Sequence, residues 1–180
     1  MRDCRTGVKC YYMHMVATSL QLDAFIPYRL SFTSGLVSDT IAAIYESMFQ
    51  LTIPEWRILA WVSEKDGITQ QEICALTRMG KVTVSRAAIS LTKRGLLRSS
   101  PNPDDRRSHL LVLSEEGRKL YASIAPKALQ IERQIFQSFD KDELARFVSM
   151  LRRIDAIVLD ASALNSEKAG QKKQRAFDTG

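Results

Sequence analysis

Glycine and proline are scarce, 8 and 5 of 180 residues, which excludes collagen-like and low-complexity chains. Nowhere do about 18 apolar residues run together, so no segment reads as a membrane span. The three cysteines are Cys4, Cys10 and Cys74. They are odd in number and have no Cys/His cluster to join, which argues against both a disulfide framework and a zinc site. Histidine is limited to His14 and His109, and no glycine-rich phosphate loop, Gly-x-Ser-x-Gly elbow or metal-ligand spacing occurs. The expectation is a protein that is not an enzyme and needs neither metal nor cofactor.

What remains is an ordinary globular balance, 45% hydrophobic and 26% charged, in a chain long enough to bury a core without staples. Arg2, Arg5 and Lys9 ahead of Tyr11 to Ala17 imitate the start of a signal peptide. His14 interrupts that stretch and no small-x-small cleavage pattern follows. Residues 1–24 therefore read as a flexible tail, with Met13 and Met15 as alternative starts, and the cytoplasm as the expected compartment.

Helical periodicity begins with Ile26, Leu30, Val37, Ile41, Ile44 and Met48, spaced 4, 7, 4, 3 and 4 apart, one stripe of a long amphipathic helix with Pro27 in its first turn. Thr52 to Glu55, Thr69 to Glu72 and Asp140 to Glu143 have the pattern of capping boxes, each announcing a further helix. Trp56, Leu59, Ala60 and Val62 give the first of these its apolar face, which ends near Asp66-Gly67. Ile73 and Leu76 lie on the second. A helix over about 80–94 turns Val84, Ala88 and Leu91 inward and stops at Gly95. Leu96 to Ser99 and His109 to Leu113 read as two strands around a turn on Pro101, Asn102, Pro103 and Asp104. Ser114 then caps a long helix that Pro126 is expected to bend. The last helix carries Leu144, Phe147, Leu151, Ile154 and Val158, and residues 161–180, small, polar and charged, read as a disordered tail.

The fold expected is mainly α. A winged helix-turn-helix with a two-stranded β wing occupies 51–113, between long helices over 25–50 and 114–160. Their apolar stripes exceed what so small a module can cover, which suggests burial against a second copy.

Charge is distributed unevenly. Thr77 to His109 holds eight basic and two acidic residues, a net +6 equal to that of the whole chain. A charge run is usually a solvated face, but this one falls on the helix and hairpin that a helix-turn-helix presents to duplex DNA. Lys81, Thr83, Ser85 and Arg86 are placed to reach base edges, and Arg86 is long enough to pair with guanine. Thr69 and Gln70 open a helix whose free N–H groups suit a phosphate. Lys93 is a further candidate for DNA contact. At the hairpin tip, Asp105, Arg106, Arg107 and Ser108 offer arginines for the minor groove, and a pairing of Asp105 with the Arg107 guanidinium is expected.

Six stretches stand in the order and spacing of one family: Leu51-Thr-x-x-Glu-Trp56, Gly67-Ile-Thr-Gln-Gln-Glu72, Lys81-Val-Thr-Val-Ser-Arg86, Leu91-Thr-Lys-Arg-Gly-Leu96, Pro103-Asp-Asp-Arg-Arg-Ser108 and Leu113-Ser-Glu-Glu-Gly-Arg118. Over about residues 25–160 the chain resembles the MarR family of winged helix-turn-helix transcription regulators. The resemblance implies a homodimer, formed by the first and the last two helices, on a pseudo-palindromic operator in double-stranded DNA. It also implies a response to a small molecule or an oxidant, sensed between the dimerisation and DNA-binding regions. One departure is Gly80, where the family often has Asp at the recognition-helix cap.

Tyr28, Arg29 and Phe32, with Trp56 and Arg57, could line a cationic aromatic pocket for a small aromatic-acid effector. Simple core packing is the stronger reading for Trp56. Cys74 reads as a small buried hydrophobe, while Cys4 and Cys10 keep oxidant sensing open.

Overall fold

The computed structural model describes residues 20–105 and 107–177, with side chains as far as Ala161. After a 3-10 turn at Leu22–Ala24 come α1 (Ile26–Phe49), α2 (Ile53–Lys65), α3 (Gln70–Thr77) and α4 (Lys81–Lys93). The strands β1 (Leu97–Pro101) and β2 (His109–Leu113) follow, then α5 (Glu115–Phe136) and α6 (Lys141–Phe177). The chain divides into two compact units, one ending at Lys127 and the other beginning at Ala128.

All three expected capping boxes form. Thr52 and Thr69 each accept the N–H of the glutamate three residues on, which returns its carboxylate to the threonine N–H. Asp140 and Glu143 exchange the same two bonds, at 2.8 and 2.9 Å. Each box satisfies backbone donors that a helix start otherwise leaves orphaned.

The core of the first unit joins α2, α4 and the hairpin. Ile58, Leu59 and Val62 of α2, Val84, Ala87, Ala88 and Leu91 of α4, and Leu97, Leu111 and Leu113 of the strands are all buried. Leu51, Ile73 and Ile124 are buried as well. Burial of a residue of this size is worth roughly 1.5–3 kcal/mol, so this cluster dominates the unit's stability. The strands pair antiparallel from Leu97 opposite Leu113 to Pro101 opposite His109. Ile68 extends the sheet beyond the expected two strands, exchanging backbone bonds of 3.1 and 2.8 Å with Leu111. Gly67, at φ 130°, makes the turn that brings Ile68 there.

α4 ends in a Schellman motif. The Leu96 N–H reaches the Leu91 carbonyl and the Gly95 N–H the Thr92 carbonyl, each at 2.9 Å, with Gly95 at φ 71°. Ser114 then donates its hydroxyl to the Gly95 carbonyl (2.6 Å) and accepts the Gly117 N–H (2.9 Å), so the start of α5 is tied to the end of α4. Pro126 sits inside α5 without ending it.

In the second unit the Phe136 and Phe139 rings meet at 6.3 Å where α5 gives way to α6. α6 is longer than expected. The tail expected to be disordered from 161 is helical to Phe177. Ala161 to Phe177 contains no proline and is rich in Ala, Lys and Gln. Those residues have high helix propensity, and their polarity decides which solvent they prefer, not whether a helix propagates. Of the other tail, residues 1–19, with Cys4 and Cys10, lie outside the described residues, and Leu22–Ala24 forms the 3-10 turn.

Several apolar residues are exposed in each unit. Ile26, Tyr28, Phe32, Leu36 and Met48 on α1 face solvent, as do Phe147, Val148, Met150, Ile154, Ile157, Val158 and Leu159 on α6.

Gly117 lies in a helix, where alanine is ordinarily favoured by about 1 kcal/mol. A Cβ here would overlap the Leu96 carbonyl oxygen. Gly117→Ala is therefore expected to destabilise the protein, by about 1–3 kcal/mol, as a lower midpoint in urea denaturation. An unchanged or raised midpoint would refute the close approach.

Candidate nucleic-acid interface

α3 and α4 are joined by Arg78, Met79 and Gly80, with Arg78 in the left-handed region at φ 55°. Gly80 caps α4 in extended conformation with no side-chain bond, and a Cβ there would meet nothing. The first N–H groups of α4 are thus left without a side-chain acceptor. Val84, Ala87, Ala88 and Leu91 pin one face of this helix to the core. Lys81, Thr83, Arg86 and Lys93 are exposed and Ser85 is half-buried. None of the three basic side chains pairs with an acid among the described residues.

The other expected contacts sort differently. The Thr69 hydroxyl donates to Glu72 Oε2 at 2.7 Å and accepts the Glu72 N–H, so it is committed to its own helix, while Gln70 beside it is exposed. The Thr69 hydroxyl and N–H, helped by Lys65, hold the Glu72 carboxyl below the usual range against a small opposing effect of burial.

In the wing, the Asp105 carboxylate accepts the backbone N–H of Arg107 at 3.0 Å. No ion pair joins it to the Arg107 guanidinium, contrary to the expected pairing, because a short carboxylate satisfies the nearby main-chain donor first. The Arg107 side chain is left exposed. Ser108 is part of the turn itself. It accepts from Asn102 Nδ2 at 2.7 Å and donates to the Asp105 carbonyl at 3.2 Å. Asn102 also accepts the Asp104 N–H. Arg106 lies outside the described residues.

A buried carboxylate sets the position of α4. Glu55, 6% exposed, accepts the Thr52 N–H and hydroxyl at 2.8 and 2.9 Å and the Ser90 hydroxyl at 2.6 Å. Arg94 approaches it at 3.8 Å and donates to the Gln50 and Phe49 carbonyls at 2.9 and 3.4 Å. Arg94, counted above with the basic stretch, therefore serves the fold. Burial pushes the Glu55 carboxyl up, but the bonds from Ser90 and Thr52, with the Arg94 charge, outweigh it and hold the group below its ordinary value.

A MarR family profile matches residues 49–108, from the end of α1 to the wing tip. The uncharacterized protein Mb2034c of Mycobacterium bovis is 30% identical over 137 residues, 66% of this chain and 94% of that one. The crystal structure of a MarR/EmrR family transcriptional regulator from Acinetobacter sp. ADP1 matches with a TM-score of 0.72 at 21% identity, over 77% of this chain and 98% of that one. The chain belongs to the MarR family. It is a transcriptional regulator with a DNA-binding winged helix rather than an enzyme. BpsR of Bordetella bronchiseptica, whose DNA binding is regulated by 6-hydroxynicotinic acid, shares the fold, with a TM-score of 0.59 at 24% identity over 71% of this chain and 98% of BpsR. No helix among the described residues is long and apolar enough to cross a membrane.

The five residues expected to hold an effector fall into separate groups in this MarR protein. Tyr28 and Phe32 stack at 6.0 Å, with Arg29 over the Phe32 ring at 5.4 Å and paired to Asp23 at 3.0 Å. Trp56 lies between Tyr45 at 5.0 Å and Tyr121 at 5.8 Å, and Arg57 is exposed. Tyr45 was missed because it sits beside Ile44 in the apolar stripe; it is 3% exposed, and burial raises its phenol pKa. Cys74 is half-buried.

Ionised Glu55 contributes stability that is complete above the unfolded carboxylate's pKa, about 4.3, and is lost as pH falls through the lower folded value. Glu55→Gln should lose about 1.5–3 kcal/mol near neutral pH. Its stability should also fall less steeply than the wild type's between about pH 5 and pH 3. Urea titrations across that range check both, and parallel acid limbs would contradict the assignment.

Proposed function

We propose that this protein is a cytoplasmic homodimeric repressor of a pseudo-palindromic operator, released by a small aromatic acid. The observation that carries the DNA-contacting part is the outward side of α4. Lys81, Thr83 and Arg86 stand exposed there, the two basic side chains paired with no acid among the described residues, on a helix whose opposite face is fixed in the core. In this reading α4 enters the major groove, where Arg86 reads a base edge and Lys93 meets phosphate. Gln70 and the start of α3 meet phosphate as well. Arg107, whose guanidinium is not paired with Asp105, enters the adjacent minor groove with Arg106. Thr69, Asp105 and Ser108 act by holding their turns.

Dimerisation is supported by the exposed apolar residues of α1 and α6, which a second copy would cover with two-fold symmetry. The effector is supported by the cationic aromatic group at Tyr28, Arg29 and Phe32, and by the aromatic acid that regulates the DNA binding of BpsR.

The test begins with a duplex selected by the wild-type protein from a random pool. Arg86→Ala should lose roughly 1–3 kcal/mol on that duplex and little on random DNA. Arg107→Ala should weaken binding strongly with almost no change in melting temperature. Equal losses of Arg86→Ala on both DNAs, or a melting defect that accounts for Arg107→Ala, would refute these roles. For the dimer, Ile154→Asp with Ile157→Asp should shift the sedimenting species to monomer or precipitate the protein. A soluble variant of unchanged dimeric mass would refute that interface.

A further inference from the structure

The buried side of α4 is centred on Val84, Ala87, Ala88 and Leu91. At about 100° per residue, the line diametrically opposite runs through Val82, Arg86, Ile89 and Lys93. Two of those four side chains are apolar, and both are bare. Val82 is 64% exposed and Ile89 50%. Exposed apolar residues scattered singly need no explanation. These two alternate with basic residues on the most outward line of a helix whose charge suits a polyanion. Val82 also stands in the first turn, between Lys81 and Thr83, where a recognition helix comes nearest the bases.

The base edges in the major groove of a duplex are mostly polar, and the one methyl group among them is the C5 methyl of thymine. We propose that Val82 is a specificity-determining residue that reads a thymine methyl beside the base read by Arg86. The proposal rests on the DNA-binding reading above and refines it. Four residues of helix put Val82 and Arg86 about 6 Å apart along the axis. With about 3.4 Å between successive bases of one strand, the thymine falls within about two base steps of the Arg86 position. Burial of the valine against the methyl removes apolar surface that both partners otherwise leave in water. The valine thereby favours thymine over cytosine and over uracil, which differs from thymine at this edge only by the methyl.

The decisive probe is uracil. In the duplex selected by the wild-type protein, each thymine is replaced in turn by deoxyuridine, and binding is measured by fluorescence anisotropy at fixed salt. One methyl group buried at ~0.8 kcal/mol corresponds to about four-fold in affinity. The expected result is one thymine per half-site whose replacement weakens the wild type about four-fold, and about fifteen-fold when both half-sites are changed. Val82→Ala should bind the thymine duplex correspondingly more weakly and be nearly indifferent to uracil at that place, with an unchanged melting temperature because the side chain is exposed. A flat uracil scan, while Arg86→Ala still relaxes selectivity, would overturn the proposal and leave the DNA-binding reading standing. Uracil sensitivity of the same size in Val82→Ala would overturn it as well. Failure of the wild-type protein to select any duplex would overturn both.

Discussion

The position of α4 depends on one buried carboxylate. Glu55 closes the cap of α2 through Thr52, accepts the Ser90 hydroxyl from α4, and faces Arg94, whose guanidinium also holds the last carbonyls of α1. Three helices thus meet at a group whose charge would be costly to bury alone. Its hydrogen bonds make burial tolerable, and the same bonds make the arrangement specific, since a shift of α4 would take the Ser90 hydroxyl away from Glu55 Oε1, leaving the carboxylate only its bonds from Thr52. Leu91, Leu96 and the Schellman turn then carry that placement into the wing, and Ser114 and Gly117 carry it into α5.

Local chemistry made much of this legible from residues alone. Capping boxes are short-range devices, and Thr52, Thr69 and Asp140 begin helices as their spacing requires. The apolar steps of α4 and the glycine that ends it are local in the same sense. Long-range pairings were not legible. Nothing near Ile68 announces a bridge to Leu111, 43 residues on, and Arg94 looks like any other base in a basic run until Gln50 and Glu55 are brought beside it. The Trp56 stack likewise needs Tyr45 and Tyr121 from distant elements.

Charge and polarity mislead at two places for one reason. Opposite charge suggests a pair between Asp105 and Arg107, but the nearer main-chain N–H takes the carboxylate. The polarity of residues 161–177 describes solvation, whereas helix formation follows backbone propensity. Of the residues expected to contact DNA, the basic side chains of α4 are exposed, while the Thr69 and Ser108 hydroxyls are bonded within their own turns.

Function in this account is a matter of presentation. A core of aliphatic side chains and one satisfied carboxylate hold a basic helix outward, and a second copy would repeat that helix across a two-fold axis. Hydroxyl-radical footprinting of the protein on its selected duplex tests this most directly. Two helices presented symmetrically to successive major grooves should protect two equivalent patches related by a dyad, centred about 10 base pairs or a multiple apart. Protection of a single unrepeated patch, or two patches without dyad symmetry, would contradict the account.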